Sequence, residues 1–423
     1  MKNKKILIIA YVFPPIAYAG TYRTLRLCKH LVRLNYEVTV LTIAIQPDLH
    51  NDYSLLEKIG DKVKIVRTRT IDPWRSYQRI KVTLNKSLMG RLLNKVFSRI
   101  IYLFSLPDHM IGWVPFALPV AIKLNRRERF NIVYTSSPPH SQQLIGWMLK
   151  LLLRKKWVAD LRDPVLENVG NSEINRLEYF LLNHLERRIL YNAAVVVANT
   201  RTAQETNQRK YPHSDIRLIY NSFDQDEFRD LPNKKFGRFT VSHIGSIYQF
   251  RKVDHIFTAI NTLDKEGKIT PENFRLLFVG FNEPGLVEEV KRFGVQKYVE
   301  IREMVEHNEA LRLMARSHLL LLIKGFGQNS GAQIPGKLFE YLGTGNKVLC
   351  IAPRESEAAR IVLREQAGFV SGDNPRELEE ILKGELEYHR NGGTKREQKN
   401  QIKKNSFSSQ QMADKFHEIF QSI

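Results

Sequence analysis

Short, almost unbroken apolar runs recur along this chain, each followed by a turn and then by a stretch of helical periodicity. KILIIA at 5–10, AVVVA at 194–198 and HLLLLI at 318–323 are the clearest. A strand with one wet face alternates apolar and polar residues, whereas a strand apolar on both sides must be covered on both. Strands covered twice and separated by helices form parallel sheets, because a parallel connection has to cross back over the sheet. This feature restricts the chain to the α/β class.

The same grammar sets the organisation. A strand at 5–10, the loop FPPIAYAG, a helix at 21–34 and a strand at 37–42 make a βαβ opening. Strands are expected at 132–135, 157–160, 194–198 and 216–220, with helices at 140–153 and 173–191 between them. A second series starts at FTVSHIG, with strands at 239–245, 275–279, 299–301, 318–323 and 347–351 and helices at 252–263, 284–293 and 308–317. Between the series, 221–239 is polar and turn-rich around Pro232-Asn233-Lys234-Lys235, as a hinge would be. We expect domains at 1–225 and 226–405, an exposed connection at 388–404, and a helix within 406–423 that packs back on the first domain. A chain of 423 residues with 43% hydrophobic and 26% charged residues has room for two such cores.

The net charge of +21 favours anionic partners: nucleic acid, acidic lipid or phosphorylated substrate. Nucleic acid is disfavoured because aromatic residues do not cluster with the basic ones. The basic start MKNKK and the apolar stretch after it imitate a signal peptide, but Pro14-Pro15 interrupt the run and a full βαβ unit continues through it. No apolar run reaches the length of a membrane span. A cytoplasmic protein is expected, peripheral at a membrane. Arg91, Lys95 and Arg99, four apart beside Leu92, Leu93, Val96 and Phe97, read as a basic amphipathic helix over 88–104 suited to an anionic lipid surface, or as a packed helix with a basic edge. Arg23, Arg26, Lys29 and Arg33 read as a solvated stripe. Cys28 and Cys350 sit inside apolar patterns and read as reduced core thiols.

Ligands of open α/β sheets bind beyond the carboxyl ends of the strands, so the loops there are the informative ones. In IPGKLFEYLGTGNKV (334–348), Pro335 suits a first helical turn, and Gly331 and Gly336 clear space for a ligand. A helix start offers N–H groups and a positive dipole end to an anion, and Lys337 adds a charge. Glu340, three residues on, shares its face and has the chemistry to hold the vicinal hydroxyls of a ribose. A second candidate is Gly245-Ser246 at a strand end, with Arg251-Lys252 before the next helix. The loop ending at Gly20 is a third. It has a single glycine and no acid after the second strand, which disfavours a nicotinamide fingerprint. The fourth is Asp160-Leu161-Arg162-Asp163, either a structural pair or a group that orients a substrate hydroxyl. His109, His140, His243 and His307 have no metal spacing, and Ser136-Ser137 lacks the G-x-S-x-G elbow of a hydrolase.

Together, FPP…AG with Arg23, AVVVANT, IYNSFDQDEF (219–228), HIGS and IPGKLFEYLGTGNKVL resemble family 4 of the glycosyltransferases, retaining enzymes of GT-B fold, in the form found in bacterial surface-polysaccharide members. The resemblance implies two Rossmann-like domains with parallel sheets facing a central cleft. It implies a nucleotide diphosphate-sugar donor on the C-terminal domain and a saccharide or lipid-linked acceptor on the N-terminal one, without metal or other cofactor. On this resemblance Glu340 holds the donor ribose, Arg251 and Lys337 meet the diphosphate, and Gly20, Gly245, Ser246, Val305, Gly336 and Leu338 line the donor. Tyr18, Arg23, Asp108, Trp113, His140 and Asp160 fall on the acceptor side, with Arg162 and Asp163 near the chemistry. The chain departs from the pattern at Ala332, where many members carry a first glutamate, and at Ala19, where many have glycine. The expected function is sugar transfer with retention, in O-antigen, capsule or exopolysaccharide synthesis. A GT-B nucleotide-sugar epimerase and a catalytically silent sugar-nucleotide-binding scaffold are the alternatives.

Overall fold

A computed structural model of the chain describes residues 4–72, 94, 101, 104–163, 165–166, 176–247, 253–280, 285–326, 333–393 and 406–423. Arg251, Gly331, Ala332, the segment 394–404 and nearly all of the helix expected over 88–104 lie outside the described residues. The chain divides into two compact units, 1–220 with 412–423, and 221–411.

The first unit holds seven parallel strands: β1 (Lys5–Ile9), β2 (Glu37–Ile43), β3 (Val63–Thr68), β4 (Ile132–Ser137), β5 (Lys156–Leu161), β6 (Val195–Ala198) and β7 (Ile216–Leu218). Their order is β3-β2-β1-β4-β5-β6-β7, so the direction of winding reverses between β1 and β4. The helices are α1 (Ala19–Arg33), α2 (Ser54–Glu57), α3 (Val114–Glu128), α4 (Ser141–Leu153), α5 (Arg176–Asn192), α6 (Arg201–Lys210) and, from the chain's end, the helix Ser409–Ser422. Alternate residues of each strand enter cores on opposite faces. Leu7, Ile9, Val133 and Ala159 pack with Trp113, Ala117, Ile145, Leu149, Leu182 and Ile189 from α3, α4, α5 and the turn before α3. Ile6, Ile8, Tyr134 and Val158 pack with Leu27, Cys28 and Leu31 of α1 and with Met412, Phe416 and Phe420 of the C-terminal helix. That helix therefore completes one whole face of the first sheet.

The second unit holds β8 (Phe239–Ile244), β9 (Phe274–Val279), β10 (Val299–Arg302), β11 (Leu319–Ile323), β12 (Lys347–Ile351) and β13 (Gly368–Ser371), all parallel in the order β10-β9-β8-β11-β12-β13. Its helices are α7 (Asp254–Lys265), α8 (Gly285–Arg292), α9 (His307–Arg316), α10 (Lys337–Thr344), α11 (Glu357–Arg364) and α12 (Pro375–Arg390), which makes the C-terminal helix α13. One core joins Val241, Leu276, Phe278, Leu321 and Leu349 to Phe257, Ile260, Leu378 and Leu382. Both cysteines are buried and free, the thiols read from sequence.

Two readings change. The basic stripe of α1 is a solvated face only at its far end: Arg33 is exposed and Lys29 half-buried, but Arg23 and Arg26 are buried, where the sheet and α13 cover the start of α1. Gly20 is not in a loop but in the first turn of α1, and it is buried.

Candidate functional site

In the second unit, the carboxyl ends of β8, β9 and β11 bring together residues far apart in sequence. Gly245 follows β8 at φ +114° and Gly280 follows β9 at φ +132°, both in the left-handed region that favours glycine. They lie back to back: a Cβ on Gly280 would come within 2.8 Å of the Gly245 carbonyl carbon. On its other side Gly245 faces Lys337, whose Nζ would lie 2.6 Å from a Cβ there. Lys337, at the start of α10, is thus laid over the strand end of Gly245.

His243 fixes that lysine. Its ring is buried, with Nδ1 2.9 Å from the Leu321 carbonyl and Nε2 2.9 Å from Lys337 Nζ. A carbonyl can only accept, so Nδ1 carries the proton and Nε2 accepts from the ammonium: the imidazole is neutral and the lysine charged. Tyr341, one turn into α10 and fully buried, holds the helix to the sheet, its hydroxyl accepting the Ile244 N–H at 3.0 Å. Lys324, buried just after β11, donates to the Gln333 carbonyl in the approach to α10. Glu340 is half-buried on α10, three residues past Lys337.

The structure thus places Lys337 and Gly245 together at one sheet edge, with Glu340 on the helix that starts there, Ser246 half-buried beside Gly245 and Gly336 exposed at the start of α10. Val305 is half-buried in the loop between β10 and α9. Leu338 departs from expectation. Its side chain is core, and its N–H is taken by the Pro335 carbonyl at 3.0 Å, as that of Phe339 is by Gly336 at 3.2 Å. The opening turn of α10 is closed at those two groups, so Lys337 carries more of the charge presented there. His243 stood in the second candidate stretch without a role, and Gly280, Tyr341 and Lys324 were missed. Gly280 had a usable signal, since FVG repeats the strand–glycine ending of HIG.

In the first unit, Arg23 and Asp160 form a bidentate pair, Nε and Nη2 each 2.8 Å from a carboxylate oxygen. Both residues are buried. Asp160 also accepts from Tyr134 at 2.6 Å and Ser136 at 2.8 Å, and Arg23 donates to the Ile219 and Tyr220 carbonyls. Burial pushes the Asp160 carboxyl up, but the Arg23 guanidinium outweighs it and holds the carboxyl below its usual range. As placed, neither side chain has surface to offer an acceptor.

Trp113 is also enclosed, its indole N–H donating to Thr68 at 2.7 Å. Asp108 accepts backbone N–H groups from Met110 at 3.1 Å and Ser141 at 2.8 Å, so it ties the turn before α3 to the start of α4. Burial raises its carboxyl against those bonds. His140 is buried, and burial with the nearby Arg162 charge lowers its imidazole to about 4. Tyr18 is exposed at the start of α1. Arg162 and Asp163 are half-buried after β5, and Arg162 lies against Gly20, where a Cβ would meet its Nη2 at 2.8 Å. Arg162 donates to the carbonyls of Ser137 at 3.1 Å and Pro138 at 2.8 Å.

Comparison with known proteins matches residues 21–227 to the family model described as Glycosyltransferase Family 4. No curated protein matches the sequence. Among solved structures, sucrose-phosphate synthase from Thermosynechococcus elongatus superposes with a TM-score of 0.66 at 12% identity, over 99% of each chain. WaaG, a glycosyltransferase involved in lipopolysaccharide biosynthesis, gives 0.55 at 15% identity, over 97% of this chain and 95% of its own. A UDP-N-acetylglucosamine 2-epimerase gives 0.57 at 12% identity, over 99% and 95%. Residues 21–227 are thus similar to Glycosyltransferase Family 4, in a chain whose two Rossmann-like units have the GT-B fold.

Proposed function

We propose that this protein transfers a sugar, with retention, from a nucleoside diphosphate sugar to a hydroxyl acceptor. The observation that supports it is the grouping of Lys337, His243, Gly245 and Gly280 at the carboxyl edge of β8, β9 and β11, with Glu340 along α10. Gly245 brings bare backbone to that edge with the buried Gly280 directly behind it, and the charged lysine is aimed across it by a neutral histidine. This suits a diphosphate. The carboxylate of Glu340 suits the ribose that would follow it.

In the proposed reaction the bond from the anomeric carbon to the donor phosphate breaks, and a bond to the acceptor oxygen forms on the same face. The departing phosphate oxygen takes the acceptor proton. Lys337, with Arg251 in the segment after Gly245-Ser246, stabilises the charge that builds on the leaving group, the task a metal ion performs elsewhere. Asp163 is the carboxylate left to orient the acceptor, since those of Asp160 are occupied. A thermal-shift screen against UDP, GDP, ADP, CMP and their sugar conjugates tests this reading. One diphosphate should stabilise the protein by about 3 kcal/mol at a hundredfold excess over its Kd. Glu340→Ala should lose most of that shift. No shift with any nucleotide would sink the reading.

The acceptor we propose is a lipid-linked saccharide of a bacterial surface polysaccharide, met at the inner face of the plasma membrane. Met148, Leu151 and Leu152 on α4 and Leu177, Phe180 and Leu181 on α5 are exposed, and Arg154, Arg176, Arg187 and Arg188 flank them. An apolar face rimmed by cations suits an anionic bilayer surface. No helix among the described residues is long and apolar enough to cross one. The epimerase reading is kept by the shared fold. It predicts product from the nucleotide sugar alone, so incubation without acceptor separates the two.

A further inference from the structure

The first sheet has its own unassigned edge. The winding reverses between β1 and β4, and the crevice beyond the carboxyl ends of strands at such a reversal is where α/β sheets take ligands. Two arginines reach it from opposite sides. Arg67, next to last in β3, starts two strands from β1 and crosses the end of β2, donating to the Ile43 carbonyl at 3.2 Å and to the Pro14 carbonyl in the loop after β1. Arg162, just after β5, starts two strands away on the other side. It crosses the end of β4 through Ser137 and Pro138 and stops against Gly20. Their strands are about 19 Å apart at ordinary strand spacing, and the two side chains reach inward from either side, Arg67 to the loop after β1 and Arg162 to the start of α1.

Every hydrogen bond that either guanidinium makes among the described residues ends on a backbone carbonyl. Arg23 occupies Asp160, the buried carboxylate nearest Arg162, which leaves Asp163 as the acid beside it. Burial holds both guanidinium groups below their usual range, against Tyr53 at Arg67 and against Asp160 and Asp163 at Arg162. Gly20 removes the side chain that would push Arg162 aside. Two forked cations bonded only to backbone carbonyls, one at the loop after β1 and one at the start of α1, match the oxygens of a phosphate group.

We propose that the edge above β1 and β4 binds a phosphate carried by the acceptor, between Arg67 and Arg162. The proposal rests on the transferase reading for the word acceptor, and on the first unit's geometry for the anion.

The test is calorimetric titration of the full chain with inorganic phosphate, using wild type, Arg67→Gln, Arg162→Gln and, as donor-side control, Lys337→Gln. Each arginine variant should weaken phosphate binding about tenfold or more, and Lys337→Gln should leave most of it. Loss confined to Lys337→Gln, or equal affinity in all four proteins, would overturn the proposal. If Arg162→Gln fails to fold, Arg67→Gln and the charge-keeping Arg67→Lys decide it, the lysine variant retaining part of the affinity. Co-sedimentation with phosphatidylcholine vesicles, with and without phosphatidic acid, separates the sources. Arginine-dependent capture on phosphatidic acid assigns a lipid headgroup, and arginine-dependent phosphate binding with unchanged capture assigns a soluble sugar phosphate. Nucleotide binding is read in the same samples. Its absence from the wild type, with arginine-dependent phosphate binding intact, would sink the transferase reading and leave the anion site standing.

Discussion

Gly245 and Gly280 have the same conformational need but different neighbours, and their variants should differ accordingly. A Cβ on Gly280 meets backbone, which cannot yield, whereas one on Gly245 meets the far end of a lysine. Both substitutions also place a side chain at positive φ, at about 1–3 kcal/mol each. Gly280→Ala should therefore cost more stability in urea unfolding than Gly245→Ala. Gly245→Ala should cost more nucleotide affinity than its stability loss explains, because it displaces Lys337. Asp160→Ala removes the carboxylate that neutralises the buried Arg23 guanidinium and should destabilise by about 3–5 kcal/mol. His140 adds a pH dependence. The unfolded chain takes up its proton below 6.5, the folded chain not until about 4. Stability should fall as pH drops through that window, by up to about 3 kcal/mol, and His140→Asn should flatten that part of a denaturation series. At this scale the sequence reading pointed to Lys337, Glu340 and Gly245, because glycine and charge at strand ends are local signals. It gave His243 no role, and it misplaced Asp160 and Arg23, because partners 94 and 137 residues away decide what those side chains face.

At the scale of elements, strands buried on both faces were legible, and of the four edge strands β7 and β10 were read while β3 and β13 were not. β6 and β11 are apolar throughout, and β1 and β12 are apolar after an opening lysine. β3 (VKIVRT) mixes charges into its pattern at the sheet's margin, and β13 (GFVS) has four residues. Missing β3 meant missing Arg67. α3 was hidden by Pro119 inside it, and α6 by a polar sequence that buries only Ala203 and Asn207. α13 was expected, but what it covers was not: Phe416 sits 5.3 Å from the Arg23 guanidinium and edge-on to Tyr134 at 5.4 Å. Phe416→Ala should cost about 3–5 kcal/mol by calorimetry, as a large buried aromatic does. The loss should fall on the first unit's transition.

At the scale of the whole molecule, the doubled α/β series led to the two-sheet architecture, while the charge of +21 bounded only the class of partner. The membrane reading predicts flotation with vesicles that carry anionic lipid, weakened by salt and by Phe180→Ser with Leu152→Ser on the exposed face. Recovery of the protein away from both anionic and neutral vesicles would point to an acceptor in solution.

The route of the chain has a consequence for its synthesis. The first unit is interrupted after Tyr220 and resumes at Met412. A ribosome making this protein therefore delivers the second unit whole before it releases the helix that seals the first. During that interval, about 10–40 s at ordinary elongation rates, Tyr134 and the Arg23–Asp160 pair wait without their cover. The half that begins first is the half that finishes last, and nascent-chain proteolysis should find it open until α13 emerges.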